Sequence, residues 1–378
     1  MKNVTTKILR VGCVLLAIFL FCVFALLPLP VQAANTVTAT VTVGSGSAGV
    51  AVTPNGAHAY VANYPSGSVS VISTATNTVT ANVIVTSKPT SALCTCLSED
   101  VAVTPNGAYT YVANSGNTTV SVINISKNTV TATVTVGTEP VAVAITPNGA
   151  YAYVTNYGSQ SVSVISTATN TVTATVTVED EPASVAITPN GAYAYVTNLG
   201  SNSVSVISTA TNTVAATVPV RGYPAGLAVT PNGAYVYVAN SGNNSVSVIS
   251  TATNTVTATV TVGTIPVGVA VTPNGAYAYV TNYGSDMVSV ISTATNTVTA
   301  TIAVGSEPTG VAVTPNSEYA YASNYGSGTV SVISTTTASP SPKIPEFPAQ
   351  LLIIMLVVFM IIVLSAVIIA KKRRASLC

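Results

Sequence analysis

The chain has 378 residues, a formal net charge of +1 and only 6% charged residues, against about a quarter in an ordinary soluble domain. One histidine, no tryptophan and no basic excess argue against a multi-histidine metal site and against most histidine-dependent catalysis. They leave no support for a nucleic-acid surface. The hydrophobic share of 48% has two sources, membrane segments and long strands of Thr, Val and Ala.

Residues 1–33 read as a secretory signal peptide. Lys2, Lys7 and Arg10 form a basic start, and Val11 to Leu29 an apolar run broken by Pro28 and Pro30. Val31-Gln32-Ala33 then supplies a cleavage site before Ala34. The competing reading is an uncleaved anchor, because the run is long. At the other end, Leu351 to Ala370 is a run of 20 residues whose only polar member is Ser365. As a helix it spans about 30 Å, the thickness of a bilayer core. Lys371 to Arg374 follow, and basic residues stay on the cytoplasmic side. The expected order is therefore signal peptide, ectodomain over 34–335, a Pro/Ser/Thr-rich stalk over 336–348, a transmembrane helix over 349–370 and a basic cytoplasmic tail over 371–378.

Between these ends the sequence repeats. Thr-Pro-Asn places its proline at positions 54, 105, 147, 189, 231, 273 and 315, with one spacing of 51 and five of 42. A period near 42 is that of propeller blades rather than of helical solenoids. Each unit carries four strand signals. In the third, Val141 to Thr146 is a short apolar run, and Pro147-Asn148-Gly149 a tight turn. Tyr151 to Asn156 and Ser161 to Ser166 are further strands, and Thr171 to Val178 alternates Thr with Val or Ala. An orphan fourth strand, Thr36 to Val43, precedes the first unit, and the seventh unit stops after its third strand, Thr329 to Ser334. The orphan completes the last blade and closes a ring, which removes open sheet edges. The fold class is all-β, a seven-bladed β-propeller. The two tyrosines of each second strand share a face and are expected to pack blade against blade, their hydroxyls seeking Thr, Ser or Asn partners.

Tyr-Val-Thr-Asn stands at 153–156, 195–198 and 279–282, and Tyr-Val-Ala-Asn at 60–63, 111–114 and 237–240. With the Thr-Pro-Asn-Gly turn and the 42-residue period, residues 36–335 resemble the YVTN-repeat β-propellers, many of them archaeal surface-layer or cell-surface proteins. Related propellers include sugar-lactone hydrolases and haem d1 domains, so the fold alone does not fix function. Pro345-Glu346-Phe347, the apolar run and the basic cluster resemble the PEF-CTERM sorting signal of archaeal surface proteins. That resemblance implies cleavage by a sortase-type processing enzyme; the alternative is a plain single-pass anchor.

In propellers the loops from fourth to first strand and from second to third strand share the usual binding face. Departures from the repeat collect there. The long spacing adds Thr90 to Asp100, with Cys94 and Cys96 as a Cys-x-Cys pair that reads as a local disulfide or unused thiols. Glu139, Glu181 and Glu307 each precede the proline that opens a blade. Glu179, Asp180 and Asp286 add to the same loops. Residues 34–340 hold three basic residues against nine acidic ones, so the ectodomain is acidic. A carboxylate ring attracts Ca²⁺ or a basic partner; solvated surface charge is the plainer reading, and no metal site is expected. His58 occupies a slot that is tyrosine in the other units. Asn117, Asn124 and Asn243 head glycosylation sequons.

The expected function is a non-catalytic, cell-surface-anchored structural or interaction module. It has no cofactor and no catalytic residue, and its partners are cell-envelope proteins or surface glycans. The alternative is a propeller enzyme or cofactor-binding protein, lactonase-like or haem d1-type, using the central channel. The channel lining is expected to be Val, Ala, Ile and Thr without convergent ionisable groups.

Overall fold

The computed structural model describes residues 35–64, 66–85 and 100–335, together with Ile368. The signal segment, the stalk, Pro345-Glu346-Phe347, Cys94 and Cys96, the cytoplasmic tail and all of the apolar run but Ile368 lie outside the described residues. No helix among the described residues is long and apolar enough to cross a membrane.

Seven four-stranded antiparallel sheets form the blades. Blade 3 is representative, with strands Pro140–Ile145, Tyr151–Asn156, Ser161–Ser166 and Thr171–Thr177 in spatial order. Blade 7 takes Pro308–Val313, Tyr319–Asn324 and Thr329–Ser334 from the end of the array and Thr36–Thr42 from its start. The N-terminal strand pairs antiparallel with Thr329–Ser334, with Val37 opposite Ile333 and Thr42 opposite Thr329. Closure by the orphan strand is thus observed. The described first strand of blade 2 is Val101–Val103.

The Thr-Pro-Asn-Gly turns are built by side chains as well as backbone. In blade 3, Thr146 Oγ1 donates to Asn148 Oδ1 at 2.7 Å, and Tyr151 N–H donates back to Thr146 Oγ1 at 3.0 Å. Gly149 sits at φ +72°, a left-handed conformation that glycine adopts without a Cβ penalty. The outermost strands are Thr-rich because their outer edge meets water; in Thr171–Thr177 only Val176 is buried. Thr173 is the extra residue of a bulge there, and its hydroxyl donates to the Val164 carbonyl at 3.2 Å.

The core lies between blades. One cluster joins Tyr153, Val162, Val164 and Val176 of blade 3 to Val185, Val196 and Ile207 of blade 4. The two tyrosines of each second strand part company: Tyr151 is 41% exposed and Tyr153 only 1%. The first tyrosine stays exposed or packs only at the core's edge, as Tyr277 and Tyr319 do, and the second fills the inter-blade core. Its hydroxyl reaches the next blade, where Tyr153 donates to Asn212 Oδ1 at 2.6 Å and Tyr195 to Asn254 Oδ1 at 2.7 Å. The same bond recurs from Tyr60, Tyr111, Tyr237, Tyr279 and Tyr321 to Asn128, Asn170, Asn296, Asn35 and Asn77. Each acceptor asparagine holds a left-handed φ between third and fourth strands, or just before Thr36. Seven latches therefore run round the ring, and the last two cross the chain's own seam.

Tyr195→Phe removes one latch and leaves the ring buried, which should cost about 1 kcal/mol in denaturant unfolding. Tyr195→Ala also opens a cavity between blades 4 and 5 and should cost about 3–5 kcal/mol. Equal losses for both variants would show that the hydroxyl, not the ring, carries the contact.

Candidate functional site

Each blade's first strand faces the central channel. Five residues before each Thr-Pro-Asn proline, these strands place Gly49, Asp100, Ala142, Ser184, Gly226, Gly268 and Gly310, all lining one cavity of about 260 Å³. Small residues are required there because neighbouring strands approach closely. A methyl group on Gly226 would fall 2.2 Å from the Val267 carbonyl oxygen, and one on Gly268 2.2 Å from that of Thr309.

The threonine of Tyr-Val-Thr-Asn stitches this inner ring. Its hydroxyl accepts from the small residue's amide, as Ser184 N–H does to Thr197 Oγ1 at 2.9 Å and Gly268 N–H to Thr281 Oγ1 at 2.8 Å. In blades 4 and 6 it then donates to the next blade, Thr197 to the Ala225 carbonyl and Thr281 to the Thr309 carbonyl, both at 2.6 Å, whereas Thr155 of blade 3 bonds to Ala142 of its own blade. Ser323 does the same toward Ala48, across the seam. Blades 1, 2 and 5 carry Ala62, Ala113 and Ala239 at this position and lack the hydroxyl.

In blade 2 the link is made differently. Asp100 N–H donates to the Val141 carbonyl of blade 3 at 3.1 Å. Its carboxylate accepts from Val101 N–H at 2.8 Å and from the Val143 amide of blade 3. Asp100 is partly exposed to the channel and is the only charged residue lining the cavity among the described residues. Burial among Val, Ala and Gly pushes its carboxyl up to about 6, and the two backbone hydrogen bonds only partly offset that. The expectation was a lining without convergent ionisable groups; one carboxylate, that of Asp100, lines the cavity among the described residues. Sequence reasoning placed Asp100 at the end of the insertion. Counting back five residues from each proline would have put it in the ring of small residues instead.

Six of the other acidic residues stand in the loops of the channel mouth. Glu139, Glu181 and Glu307 occupy left-handed positions, φ +53°, +57° and +54°, shared by Tyr223 and by the β-branched Ile265 at φ +50°. This conformation turns their carbonyls toward the second-to-third-strand loops, where Tyr157, Leu199 and Tyr325 donate to Glu139, Glu181 and Glu307 at 2.8–2.9 Å. The carboxylates fold over those loops: methyl groups on Gly158, Gly200 and Gly326 would lie 2.8, 3.1 and 3.0 Å from them. Asp286 caps the Glu307 amide at 2.8 Å. Glu179 accepts from Ser203 Oγ, and Asp180 is exposed beside it. None of these six lines the cavity, and no group of three His, Cys, Asp or Glu fit to hold a metal occurs among the described residues. His58 lies in a half-buried slot at the start of a second strand. Of the sequon asparagines, Asn117 and Asn243 are exposed, while Asn124 Oδ1 is engaged by Ser126 and Lys127.

The fold is a ring of seven blades with one charged residue, among those described, lining the central cavity. A family model described as a lactonase, seven-bladed β-propeller, matches residues 29–180, 167–271 and 207–302. The chain belongs to this lactonase propeller family, and the overlapping stretches reflect blades that are near-copies. Among solved structures it is similar to a chain of Kuenenia stuttgartiensis hydrazine synthase, with a TM-score of 0.69, 25% identity, and coverage of 77% of this chain and 96% of that one. No curated protein sequence matches. The expectation of a non-enzyme is overturned by these two matches, which point to an enzyme-like propeller family.

The raised Asp100 carboxyl has a signed consequence. The unfolded chain ionises this group near 3.8 and the folded one near 6, so between those values the folded state binds more protons. Stability falls as pH rises through that window and is level above it. Asp100→Asn should abolish this component, so the variant gains relative to wild type between pH 4 and about 6.5. Urea midpoints of both proteins across pH 4–7 measure it; a constant difference would mean that Asp100 is not desolvated.

Proposed function

We propose that this protein is a channel-site hydrolase acting on cyclic esters. The observation that carries the reading is Asp100: one carboxylate, held by two backbone amides, poised near neutral pH and open to a cavity otherwise lined by small and apolar groups. A general base works best with a pKa near the operating pH. Asp100 takes a proton from a water molecule as the water oxygen bonds to the lactone carbonyl carbon. The ring C–O bond then breaks, and the departing alkoxide takes the proton back from Asp100. The net change is addition of water, with the carboxylate regenerated. The reading assigns the oxyanion donor to the Gly49 amide of the adjoining blade 1, a cavity-lining residue whose blade carries Ala62 in place of the accepting threonine. Family membership and the resemblance to hydrazine synthase support a catalytic reading over a purely structural one.

The apolar segments at the two ends support a propeller displayed outside the cell membrane, where cell-envelope proteins or surface glycans are the partners within reach. Retention or removal of the C-terminal run is read by mass spectrometry of the native protein.

The test is lactone hydrolysis by the purified protein, followed by proton release. Turnover should rise with pH through about 6, and Asp100→Asn should lower kcat/KM by about 10²–10⁴-fold while unfolding cooperatively. Unchanged turnover in Asp100→Asn, or none in wild type, would overturn the assignment.

A further inference from the structure

If the channel is the site, its chemistry also selects the substrate. Beside Asp100 the cavity is walled by Val50, Val101, Val185, Leu227, Val269 and Val311, and among the described residues Ser184 and Thr309 supply its only side-chain hydroxyls. No basic side chain among the described residues lines it. A phosphate or carboxylate brought in would lose its hydration, meet no cation, and sit against a like charge in a poorly screened space.

The mouth adds a second barrier of the same sign. Glu139, Glu179, Asp180, Glu181, Asp286 and Glu307 stand on that face, with Arg221 as the only basic residue of its described loops. Tyr223 and Ile265, 54% and 40% exposed, form an apolar lip on blades 5 and 6. The summed field repels anions before they reach the axis. The volume, about 260 Å³, equals roughly nine water molecules at about 30 Å³ each, enough for one small ring with a short substituent.

We propose that the channel takes small uncharged lactones with a hydrocarbon substituent and excludes phosphorylated or carboxylated ones. This rests on the channel being the functional site, and goes beyond it by assigning the charge and polarity of the ligand. Selection has two separable parts. Repulsion at the exposed mouth is screened by salt, with a Debye length of about 8 Å at 0.15 M and 3 Å at 1 M. Repulsion by Asp100 within the channel is not.

The experiment uses γ-nonalactone as the neutral alkyl probe. Paraconic acid and its methyl ester form a matched pair differing in charge. Binding is measured by ligand-observed NMR on wild type and Asp100→Asn, at 0.05 and 0.5 M salt and pH 7.5, beside hydrolysis rates. The neutral lactone and the methyl ester should saturate both proteins, and paraconate should bind wild type at least tenfold more weakly than its ester. Raising the salt should narrow that gap in part, and Asp100→Asn should narrow it further at high salt. Paraconate binding as well as its ester would overturn the proposal, as would failure of both neutral probes to bind wild type. Neutral binding without turnover would sink the hydrolase reading and leave the selection standing.

Discussion

The rest of this structure depends on seven near-identical sheets each packing on the next, and a buried tyrosine fills that interface while its asparagine latch ties it. A β-sheet has unpaired edges and two faces to cover. Here each face is covered by the next blade, so no blade has a complete core of its own. The buried tyrosine fills the inter-blade space, and its hydroxyl would be an unsatisfied donor without Asn212 or its counterparts. The left-handed φ of those asparagines is needed to present the acceptor, and asparagine tolerates it better than most residues.

Closure imposes a second rule near the axis. Radial sheets converge inward, so backbones of adjacent first strands come within van der Waals reach of each other, and only small residues fit at the closest level. The hydroxyl of Tyr-Val-Thr-Asn bridges blades at this level, where an amide and a carbonyl from adjacent blades would otherwise be left unpaired. That gives the third letter of the motif a physical role separate from that of its tyrosine. Asp100 is the exception that fits: its carboxylate bonds to the Val101 and Val143 amides, the second of them in blade 3.

A ring built from copies leaves little freedom for chemistry. A side chain needed for function must sit where blades differ and where the difference faces the axis. Most differences fail the second condition. The glutamates that open blades turn their carboxylates over neighbouring loops, and Asp286 is taken up as a cap for the next blade. Asp100 meets both conditions: it departs from the repeat and lines the cavity, one residue before the strand Val101–Val103.

Much of the fold was legible in the chain itself. The spacing of the Thr-Pro-Asn prolines, the turn glycines and the orphan strand Thr36–Thr42 determine seven blades and a closed ring, since they depend on local turn chemistry and on counting strands. The split between Tyr151 and Tyr153, one wet and one buried, was not legible: both lie on one face of one strand, and only the next blade's position decides which is covered. The candidate site shows the same division. Sequence alone identified the acidic residues as a group, but whether a carboxylate points at the axis or folds over a loop depends on backbone conformation set by inter-blade hydrogen bonds. Asp100 stood in plain view five residues before Pro105, yet its desolvation comes from side chains of other blades, up to some 200 residues away in sequence, which only the closed ring brings around it.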